Sequence, residues 1–332
     1  MSKLYLVTGA SGHLGCVLVK KLLEAGEEVR ALVLPNDNKI PKGDIKVCFG
    51  DILDVDSLIP FFENHEKKDV IVIHAAGIVS ITSRKNTKVY DTNVTGTKNI
   101  IMMCEMYNVV KLIYVSSVHA IPEKPRGEII SEIDVFSMES VQGLYAKTKA
   151  LASKYVYEAG KRGLNVNIVH PSGICGPYDS GNGHMTTLVS DYFNGKLKAI
   201  VNGGYDFVDV RDVADGIISC SEKGREGECY ILSNRYCTVK ELIVILHEIT
   251  GKKLIKVTIP DWLMKVVSPI AEIYYNIIKK TPLFTPYSIA TLRSNANFSR
   301  EKAETELDYR PRSLSESLRD TIAWLKAEDR LK

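Results

Sequence analysis

Short apolar runs alternate with helix-patterned segments through the first half of the chain, and this alternation constrains its fold more than any other feature. The runs are bounded by glycine, proline or polar residues, and they cover residues 3–8, 28–34, 45–49, 69–74, 111–116 and 165–170. Runs of this length predict buried strands. Between the first two, Leu14, Val17, Leu18, Leu22 and Ala25 share one face of a predicted helix. Alternating strands and helices predict an α/β fold with a doubly wound parallel sheet.

A glycine-rich turn joins the first predicted strand to the first predicted helix. Gly9, Gly12 and Gly15 follow one another at intervals of three residues. Glycine permits a tight turn and lets backbone N–H groups approach a diphosphate at the positive end of a helix. A purely structural turn could have the same composition. The position directly after a first strand nevertheless favours a Rossmann-type dinucleotide site.

The rhythm of strands and helices changes after residue 170. Residues 171–183 are rich in glycine, serine and proline and predict a loop, while the apolar run 228–232 predicts a strand that returns to the sheet. We therefore expect a Rossmann domain and a smaller, mostly helical substrate-binding region. The predicted boundaries are 1–170 for the NAD(P)-binding domain, with 206–234 returning to it, and 171–205 with 235–332 for the substrate-binding region.

Taken together, the motifs resemble the extended branch of the short-chain dehydrogenase/reductase superfamily, also called the NAD-dependent epimerase/dehydratase superfamily. The spacing G-x-x-G-x-x-G is that branch's variant of the Rossmann fingerprint. Further matches follow in order across nearly the whole chain. They are Gly50-Asp51-Ile52, His74-Ala75-Ala76-Gly77, Asn93 within Asn93-Val94-Thr95-Gly96-Thr97, Ser116-Ser117, Tyr145-Ala146-Lys147-Thr148-Lys149, His170-Pro171-Ser172-Gly173-Ile174-Cys175-Gly176-Pro177 and Asp209-Val210-Arg211-Asp212-Val213-Ala214.

The resemblance implies NAD or NADP as cofactor and assigns residues to it. The implied cofactor-binding residues are Gly9, Ser11, Gly12, His13, Leu14, Gly15, Asp51, Ile52, Ala75, Ala76, Gly77, Tyr145, Lys149, Pro171, Gly173 and Ile174. NAD-preferring sites usually place Asp or Glu at the end of the second strand, and NADP-preferring relatives often place Arg there. This chain has neither at residues 33–36, although Asp37 and Lys39 follow. The missing arginine favours NAD.

Four residues are the candidate catalytic group. Tyr145 and Lys149 are four apart and share a helix face, so an ammonium charge near the phenol would lower its pKa from about 10. Ser117, at the end of the fifth strand, can hydrogen-bond a substrate oxygen while Tyr145 gives or takes the hydroxyl proton. Family alignment favours Ser117 over Ser116, and it implies that Asn93 steadies the site.

The substrate side indicates a hydrophobic ligand. Sugar-nucleotide enzymes of the branch often have Arg before the D-F-V segment, where this chain has Tyr205. The later sequence resembles dihydroflavonol-reductase and 3β-hydroxysteroid-dehydrogenase relatives, including a broadly apolar helix predicted at 262–278. We expect a secondary alcohol and a ketone to be interconverted on a steroid-like or aromatic substrate. The alternatives are a sugar-nucleotide epimerase or dehydratase, and a non-catalytic cofactor-sensing protein.

Composition narrows the partners. The 332 residues are 45% hydrophobic and 25% charged, which is typical of a globular chain. A net charge of +3 gives no electrostatic reason to expect nucleic acid. The seven cysteines show no C-x-x-C spacing, so neither disulfides nor a zinc site is predicted.

Location and assembly are predicted from the same sequence. The N-terminus has no signal-peptide layout, and the 262–278 helix is too interrupted to span a bilayer. We expect that helix to be buried against the domain; the alternatives are that it covers an apolar substrate or contacts a membrane surface. We expect a cytoplasmic homodimer without metal, paired through the helix around 89–108 and the helix of Tyr145. In the former, the apolar residues are Val94, Ile100, Ile101, Met103, Cys104 and Tyr107.

Overall fold

The structure is a computed structural model that describes residues 2–37, 39, 43–80, 86–181, 183–260, 262–264 and 285–331. The strands are β1 Lys3–Thr8, β2 Glu28–Val33, β3 Lys46–Phe49, β4 Asp69–His74, β5 Lys111–Val115, β6 Val166–Pro171, β7 Gly173–Cys175, β8 Ile200–Val201, β9 Gly204–Asp209, β10 Cys229–Leu232, β11 Arg235–Thr238 and β12 Thr258–Ile259. The helices are α1 His13–Glu24, α2 Val55–Phe62, α3 Thr87–Tyr90, α4 Gly96–Met106, α5 Leu144–Lys161, α6 His184–Phe193, α7 Val210–Lys223, α8 Val239–Thr250, α9 Pro286–Arg293, α10 Glu301–Glu306 and α11 Leu314–Ala327.

Seven strands form one sheet in the order β10-β6-β5-β4-β1-β2-β3. Every pairing within it is parallel. The doubly wound parallel sheet predicted from the alternating runs is therefore confirmed. Parallel strands place their carboxyl ends at one edge, and in such sheets ligands bind in the crevice outside that edge.

Both faces of this sheet are covered, and the side chains of β1 alternate between two cores. Tyr5 and Val7 pack in one core with α1 and α7, whereas Leu4 and Leu6 pack in the other with α4 and α5. This alternation follows from the period of two in a strand. Of the apolar stripe predicted for α1, Leu14, Val17, Leu18 and Leu22 pack in the first core, whereas Ala25 is exposed at the end of the helix. Gly26 ends the following turn at φ +77°.

The second half of the chain builds on the same edge. β10 rejoins the large sheet beside β6, while β9 lies in a separate three-stranded sheet, β11-β9-β7. A third core joins that sheet to α6, α8 and α11. The division of the chain into domains at residue 170 stays a prediction.

The predicted 262–278 helix lies outside the described residues except for 262–264, and so does the Leu283-Phe284 loop. Of the helices that the structure describes, none is long and apolar enough to cross a membrane.

The structure corrects the argument for the dimer helix. On α4 and the turn before it, Val94, Ile100, Ile101, Met103 and Cys104 are all buried within the subunit itself. They pack on the sheet and on α5, so they are not available to a partner. The exposed apolar side chains of α4 are Met102 and Met106.

Candidate active site

The three glycines of the turn differ in how closely they pack against neighbouring backbone. A Cβ on Gly9, whose φ is +67°, would lie 2.7 Å from the Ala76 nitrogen, and one on Gly15 would lie 2.0 Å from the Gly9 oxygen. Gly12 is exposed, and a Cβ there would meet only the Gly9 oxygen, at 3.2 Å. Gly9 and Gly15 thus hold the turn against its neighbours, while Gly12 leaves backbone open at the start of α1. This cradle fits the diphosphate of a dinucleotide.

A buried network fixes the turn after β4 beside the glycine turn. The Ala76 amide donates to Thr8 Oγ1 over 3.1 Å, and Thr8 Oγ1 lies 2.7 Å from His74 Nδ1. On the other side, His74 Nε2 lies 3.1 Å from Thr97 Oγ1, whose hydroxyl donates to the Asn93 carbonyl. The hydrogen bonds are all satisfied when Nε2 carries the proton and Nδ1 accepts from Thr8. Burial, with the nearby Lys149 charge, lowers the pKa of His74 to about 3, so the ring is neutral.

Asn93 lies in a π-helical turn, Asp91–Thr95, between α3 and α4. Its Nδ2 donates to the Ile78 carbonyl at 3.0 Å and to Thr148 Oγ1 at 3.1 Å, and its Oδ1 accepts from the Ile78 amide at 2.8 Å. The side chain therefore ties the turn after β4 to α5. Such π turns occur frequently at functional sites. The steadying role expected for Asn93 agrees with these contacts and stays a prediction about catalysis.

Tyr145, Lys149 and Ser117 meet at the carboxyl end of β5. Tyr145 and Lys149 are buried one turn apart on α5, and the Ser117 hydroxyl hydrogen-bonds the Tyr145 phenol. Lys149 Nζ donates to the Val115 carbonyl at 2.7 Å and lies over the ring of Tyr114. A Cβ on Gly77 would lie 3.4 Å from Lys149 Nζ, so the Gly77 position borders the same space.

The pKa values correct one sequence expectation. Burial raises the pKa of Tyr145 to about 12, and the hydrogen bond from Ser117 opposes that rise. Burial lowers the pKa of Lys149 to about 7. The expectation that the Lys149 charge lowers the pKa of Tyr145 is wrong for this structure, because the ammonium faces the Val115 carbonyl and desolvation dominates both groups. Ser117 is the group that favours the phenolate here.

The two adjacent serines have different surroundings. Ser116 Oγ is 2.7 Å from Ser153 Oγ, a buried pair that fastens β5 to α5. Ser117 Oγ accepts from the His119 amide at 3.2 Å and reaches Tyr145. This geometry supports Ser117 as the residue that faces a substrate oxygen.

The remaining predicted cofactor residues are spread around the glycine turn. Ser11 hydrogen-bonds Asp37, which lowers the pKa of that carboxyl. His13 Nε2 lies 2.8 Å from the Pro177 carbonyl, so α1 contacts the loop after β7.

In the turn that follows β3, Asp51 Oδ1 accepts from the Leu53 amide, and Ile52 packs against Gly96. Pro171 and Gly173 instead pair with Leu232 and Phe207 in their sheets. Leu14, Ala75 and Ile174 are half-buried against the first core.

An aromatic cluster lies next to Tyr145, and we define it as His119, Tyr205 and Tyr287. The imidazole of His119 stacks on Tyr205 at 5.6 Å between ring centroids, and its Nε2 lies 3.1 Å from the Tyr205 hydroxyl. The same imidazole meets the Tyr145 ring edge-on at 5.9 Å and the Tyr287 ring at 6.1 Å. Burial lowers the pKa of His119 to about 4 and raises that of Tyr287 to about 12, so both are neutral.

Sequence reasoning missed two members of this cluster. His119 follows Ser117 by two residues, and that proximity to a candidate catalytic serine was the available signal. Tyr287 had no local signal, because its place depends on packing against Gly143, where a Cβ would lie 2.3 Å from the Tyr287 ring. At position 205, the sequence indicates only that a tyrosine stands where sugar-nucleotide enzymes often have an arginine.

Comparison with known proteins gives a consistent picture. The family model described as the NAD dependent epimerase/dehydratase family matches residues 5–233. Sterol demethylase protein B of Methylococcus capsulatus is 31% identical over 327 residues, which are 97% of this chain and 98% of that protein. A decarboxylating sterol-4-alpha-carboxylate 3-dehydrogenase of Schizosaccharomyces pombe is 26% identical and covers 97% of each chain.

Solved structures show the same architecture. The crystal structure of gox2253 superposes with a TM-score of 0.85 at 29% identity, covering 100% of this chain and 99% of that one. UDP-glucose 4-epimerase of Thermotoga maritima, solved with UDP-glucose, gives a TM-score of 0.79 at 21% identity over 98% of this chain and 99% of its own. The latter likeness supports the fold alone.

Proposed function

The chain belongs to the NAD dependent epimerase/dehydratase family and is an NAD(P)-dependent enzyme acting on CH–OH groups, and we propose that it interconverts a secondary alcohol and a ketone on a fused-ring, steroid-like substrate. One observation carries the proposal: the Ser117–Tyr145 hydrogen bond lies next to an aromatic cluster, in which His119 meets the Tyr145 ring and stacks on Tyr205. Aromatic side chains beside a small number of polar groups are typical of sites that bind apolar ring systems and orient one reacting oxygen.

The proposed mechanism assigns one task to each side chain. When bound, the nicotinamide supplies the hydride acceptor or donor and, in its oxidised form, a positive charge. Ser117 donates a hydrogen bond to the substrate oxygen, and Tyr145 accepts the hydroxyl proton in oxidation or returns it in reduction. Lys149, whose pKa burial lowers to about 7 and whose ammonium donates to the Val115 carbonyl, would hold a cofactor hydroxyl. Asn93 links the turn after β4 to α5 through its side-chain hydrogen bonds.

The substrate class rests on the cluster and on the relatives' names. Rings buried against His119, Tyr205 and Tyr287 would gain about 25 cal/mol per Å² of apolar surface removed from water. Two similar proteins, one of them a sterol-4-alpha-carboxylate 3-dehydrogenase, have names that refer to sterols. We therefore propose a 3-hydroxysterol, with or without a neighbouring carboxylate, as the first substrate to test. With a neighbouring carboxylate, oxidation would give a β-keto acid that can lose CO₂.

A parallel screen tests this proposal. Hydroxysteroids, 4-carboxysterols, aryl ketones and UDP-glucose are each incubated with NAD(H) or NADP(H), and nicotinamide absorbance, product mass and thermal unfolding are measured. We expect turnover of the ring alcohols or ketones. Stabilisation or epimerisation of UDP-glucose without turnover of ring compounds would favour the sugar-nucleotide alternative. Cofactor binding without turnover of any compound would favour a sensor.

The cofactor preference is proposed from one carboxylate. Asp37 contacts Ser11 of the glycine turn, and its lowered pKa keeps it charged. A negative charge there would repel the 2′-phosphate of NADP, so we propose NAD. Dissociation constants for both cofactors, measured for the wild type and for Asp37→Asn, test this. Equal NADP and NAD affinity in the wild type would contradict it.

Assembly and location remain proposals. We propose a homodimer in which Met102 and Met106 of α4, which are 39% and 61% exposed, lie against a second copy. Light scattering should give twice the chain mass, and Met106→Glu should lower it. The proposed cytoplasmic location is tested by cell fractionation, in which enrichment with the membrane would instead support contact through 262–278.

A further inference from the structure

His170 lies beside the catalytic group without belonging to it. It is the fifth residue of β6, next to β5, and its side chain is fully buried. Its Nδ1 lies 3.0 Å from the Ser117 carbonyl oxygen, and its ring stacks on Phe136 with centroids 5.6 Å apart and planes 24° apart. The mechanism proposed above gives this histidine no task.

The contacts of His170 fix its tautomer. A carbonyl oxygen can only accept, so Nδ1 must carry the proton and donate to Ser117. Burial, with the nearby Lys149 charge, lowers the pKa of His170 to about 4, so the ring is neutral and Nε2 has a lone pair. Nε2 is buried, and no residue that the structure describes offers it a hydrogen bond. Nδ1–H is thus the polar group through which this side chain acts on its surroundings.

The bond to Ser117 occurs where the backbone ladder stops. β5 ends at Val115, and the Ser116 amide, one residue beyond it, donates to the Val169 carbonyl at 2.8 Å. At the next residue, the Ser117 carbonyl accepts from the Ala120 amide at 2.9 Å and from the His170 side chain. His170 therefore replaces the missing strand contact and holds the peptide that carries the Ser117 hydroxyl.

We propose that His170 is a positioning residue that holds Ser117, through the Nδ1–H bond to its carbonyl, in the orientation from which its hydroxyl reaches Tyr145. Loss of the donor would free the end of β5 to rotate. The Ser117 hydroxyl would then stabilise less well the Tyr145 phenolate in the free enzyme and the substrate oxygen in the complex. The inference rests on the proposed function, because its kinetic consequence requires turnover of an alcohol.

Three variants separate the donor from the ring. His170→Phe keeps the stack on Phe136 and removes the donor. His170→Asn places an amide NH₂ close to the position of Nδ1, whereas His170→Gln carries the same group one bond further out. We expect kcat for the alcohol to fall roughly tenfold in the Phe variant, the factor that one hydrogen bond supplies. The Asn variant should recover most of it and the Gln variant little, while KM and the NAD dissociation constant change less than kcat.

Two readouts distinguish positioning from a structural role. The acid limb of the kcat/KM profile for alcohol oxidation, which reports the enzyme without substrate, should move to higher pH in the Phe variant, since Tyr145 loses the hydrogen bond that lowers its pKa, and Asn should restore it. The ¹³C′ chemical shift of Ser117 should change in the Phe variant and return in the Asn variant. If the Phe variant fails to fold, Asn and Gln decide the matter between them: a lower kcat in Gln supports the inference, and equal kcat values overturn it.

The outcomes are also separable from failure of the proposed function. Wild-type turnover together with unchanged kcat in the Phe variant overturns the positioning inference alone. Absence of wild-type turnover on every ring alcohol and ketone overturns the proposed function. The inference then stands or falls on the Ser117 carbonyl shift, which requires no substrate.

Discussion

The glycine turn after β1 and the aromatic cluster of His119, Tyr205 and Tyr287 lie at the same edge of the sheet, yet they are assembled in different ways. The turn packs Gly15 on Gly9, residues that are close in sequence, and Ala76 packs against it from a distant part of the chain. The cluster joins the turn after β5, the start of β9 and the start of α9. A local motif thus forms the proposed cofactor side, and long-range packing forms the proposed substrate side.

This difference separates the expected consequences of mutation. A change in the glycine turn should alter cofactor affinity, whereas a change in the cluster should alter substrate KM and leave cofactor affinity intact. Tyr145 lies between the two regions, since it shares α5 with Lys149 and contacts His119. A variant of Tyr145 should therefore change the rate of the chemical step and leave both cofactor affinity and substrate KM unchanged.

The largest effect is expected for Tyr145→Phe. The substitution keeps the ring that packs on His119 and removes the hydroxyl that moves the proton. Turnover should fall by roughly 10²–10⁴-fold, the usual contribution of general acid–base catalysis. Stopped-flow kinetics and cofactor titration measure the two quantities separately. Near-normal turnover would contradict the mechanism, and a parallel loss of NAD affinity would contradict the separation of the two regions.

The next effect tests the glycine turn itself. In Gly12→Val the side chain would occupy the open backbone, so NAD affinity should fall by about 100-fold or more, equivalent to about 2.7 kcal/mol. Because Gly12 has φ −77°, ordinary for any residue, the fold should persist. Gly15→Val is the matched variant: its Cβ would overlap the Gly9 carbonyl, so the protein itself should be destabilised. Calorimetry and thermal unfolding distinguish them, and equal unfolding temperatures would refute the assignment.

The same contrast explains what the sequence could predict. The strand β1 and the three glycines depend on neighbouring residues, and so their positions were predictable from alternation and spacing. The predicted strand 69–74 likewise has the bounds Asp69–His74 in the structure. Short-range rules suffice wherever an element is stabilised by its own periodicity.

The substrate side did not follow from local rules. Tyr287 meets His119 only because α9 packs over Gly143, and no pattern near either residue encodes that contact. The prediction that the Lys149 ammonium lowers the pKa of Tyr145 was wrong for a related reason. Helical spacing predicts that it shares a face with Tyr145, but the carbonyl at the end of β5 attracts its ammonium instead. The position of the Lys149 ammonium depends on a tertiary hydrogen bond, which helical spacing does not predict.

A smaller effect is expected within the cluster. Tyr205→Phe keeps the ring stacked on His119 and removes the hydroxyl that bonds Nε2. Losing one hydrogen bond should lower kcat/KM for a ring substrate roughly tenfold, mainly through KM. Tyr236→Phe, at an exposed position of the adjacent β11, is the matched control and should change nothing. A change in NAD affinity in Tyr205→Phe would show that the cluster also serves the cofactor.

The last expected effect is a loss of stability in acid that both regions should share. His74 supports the glycine turn and His119 the cluster, and burial lowers their pKa values to about 3 and about 4 from 6.5. Below pH 6.5 these two histidines bind protons in the unfolded chain but stay neutral in the folded chain. Each histidine should therefore lower the free energy of unfolding by up to about 1.4 kcal/mol per pH unit between pH 6.5 and 4. Urea unfolding across this window measures the slope, and His119→Phe should make it shallower by one histidine's share. An unchanged slope would mean that His119 becomes protonated in the folded protein, and the cluster would then be wetter and more mobile than the turn.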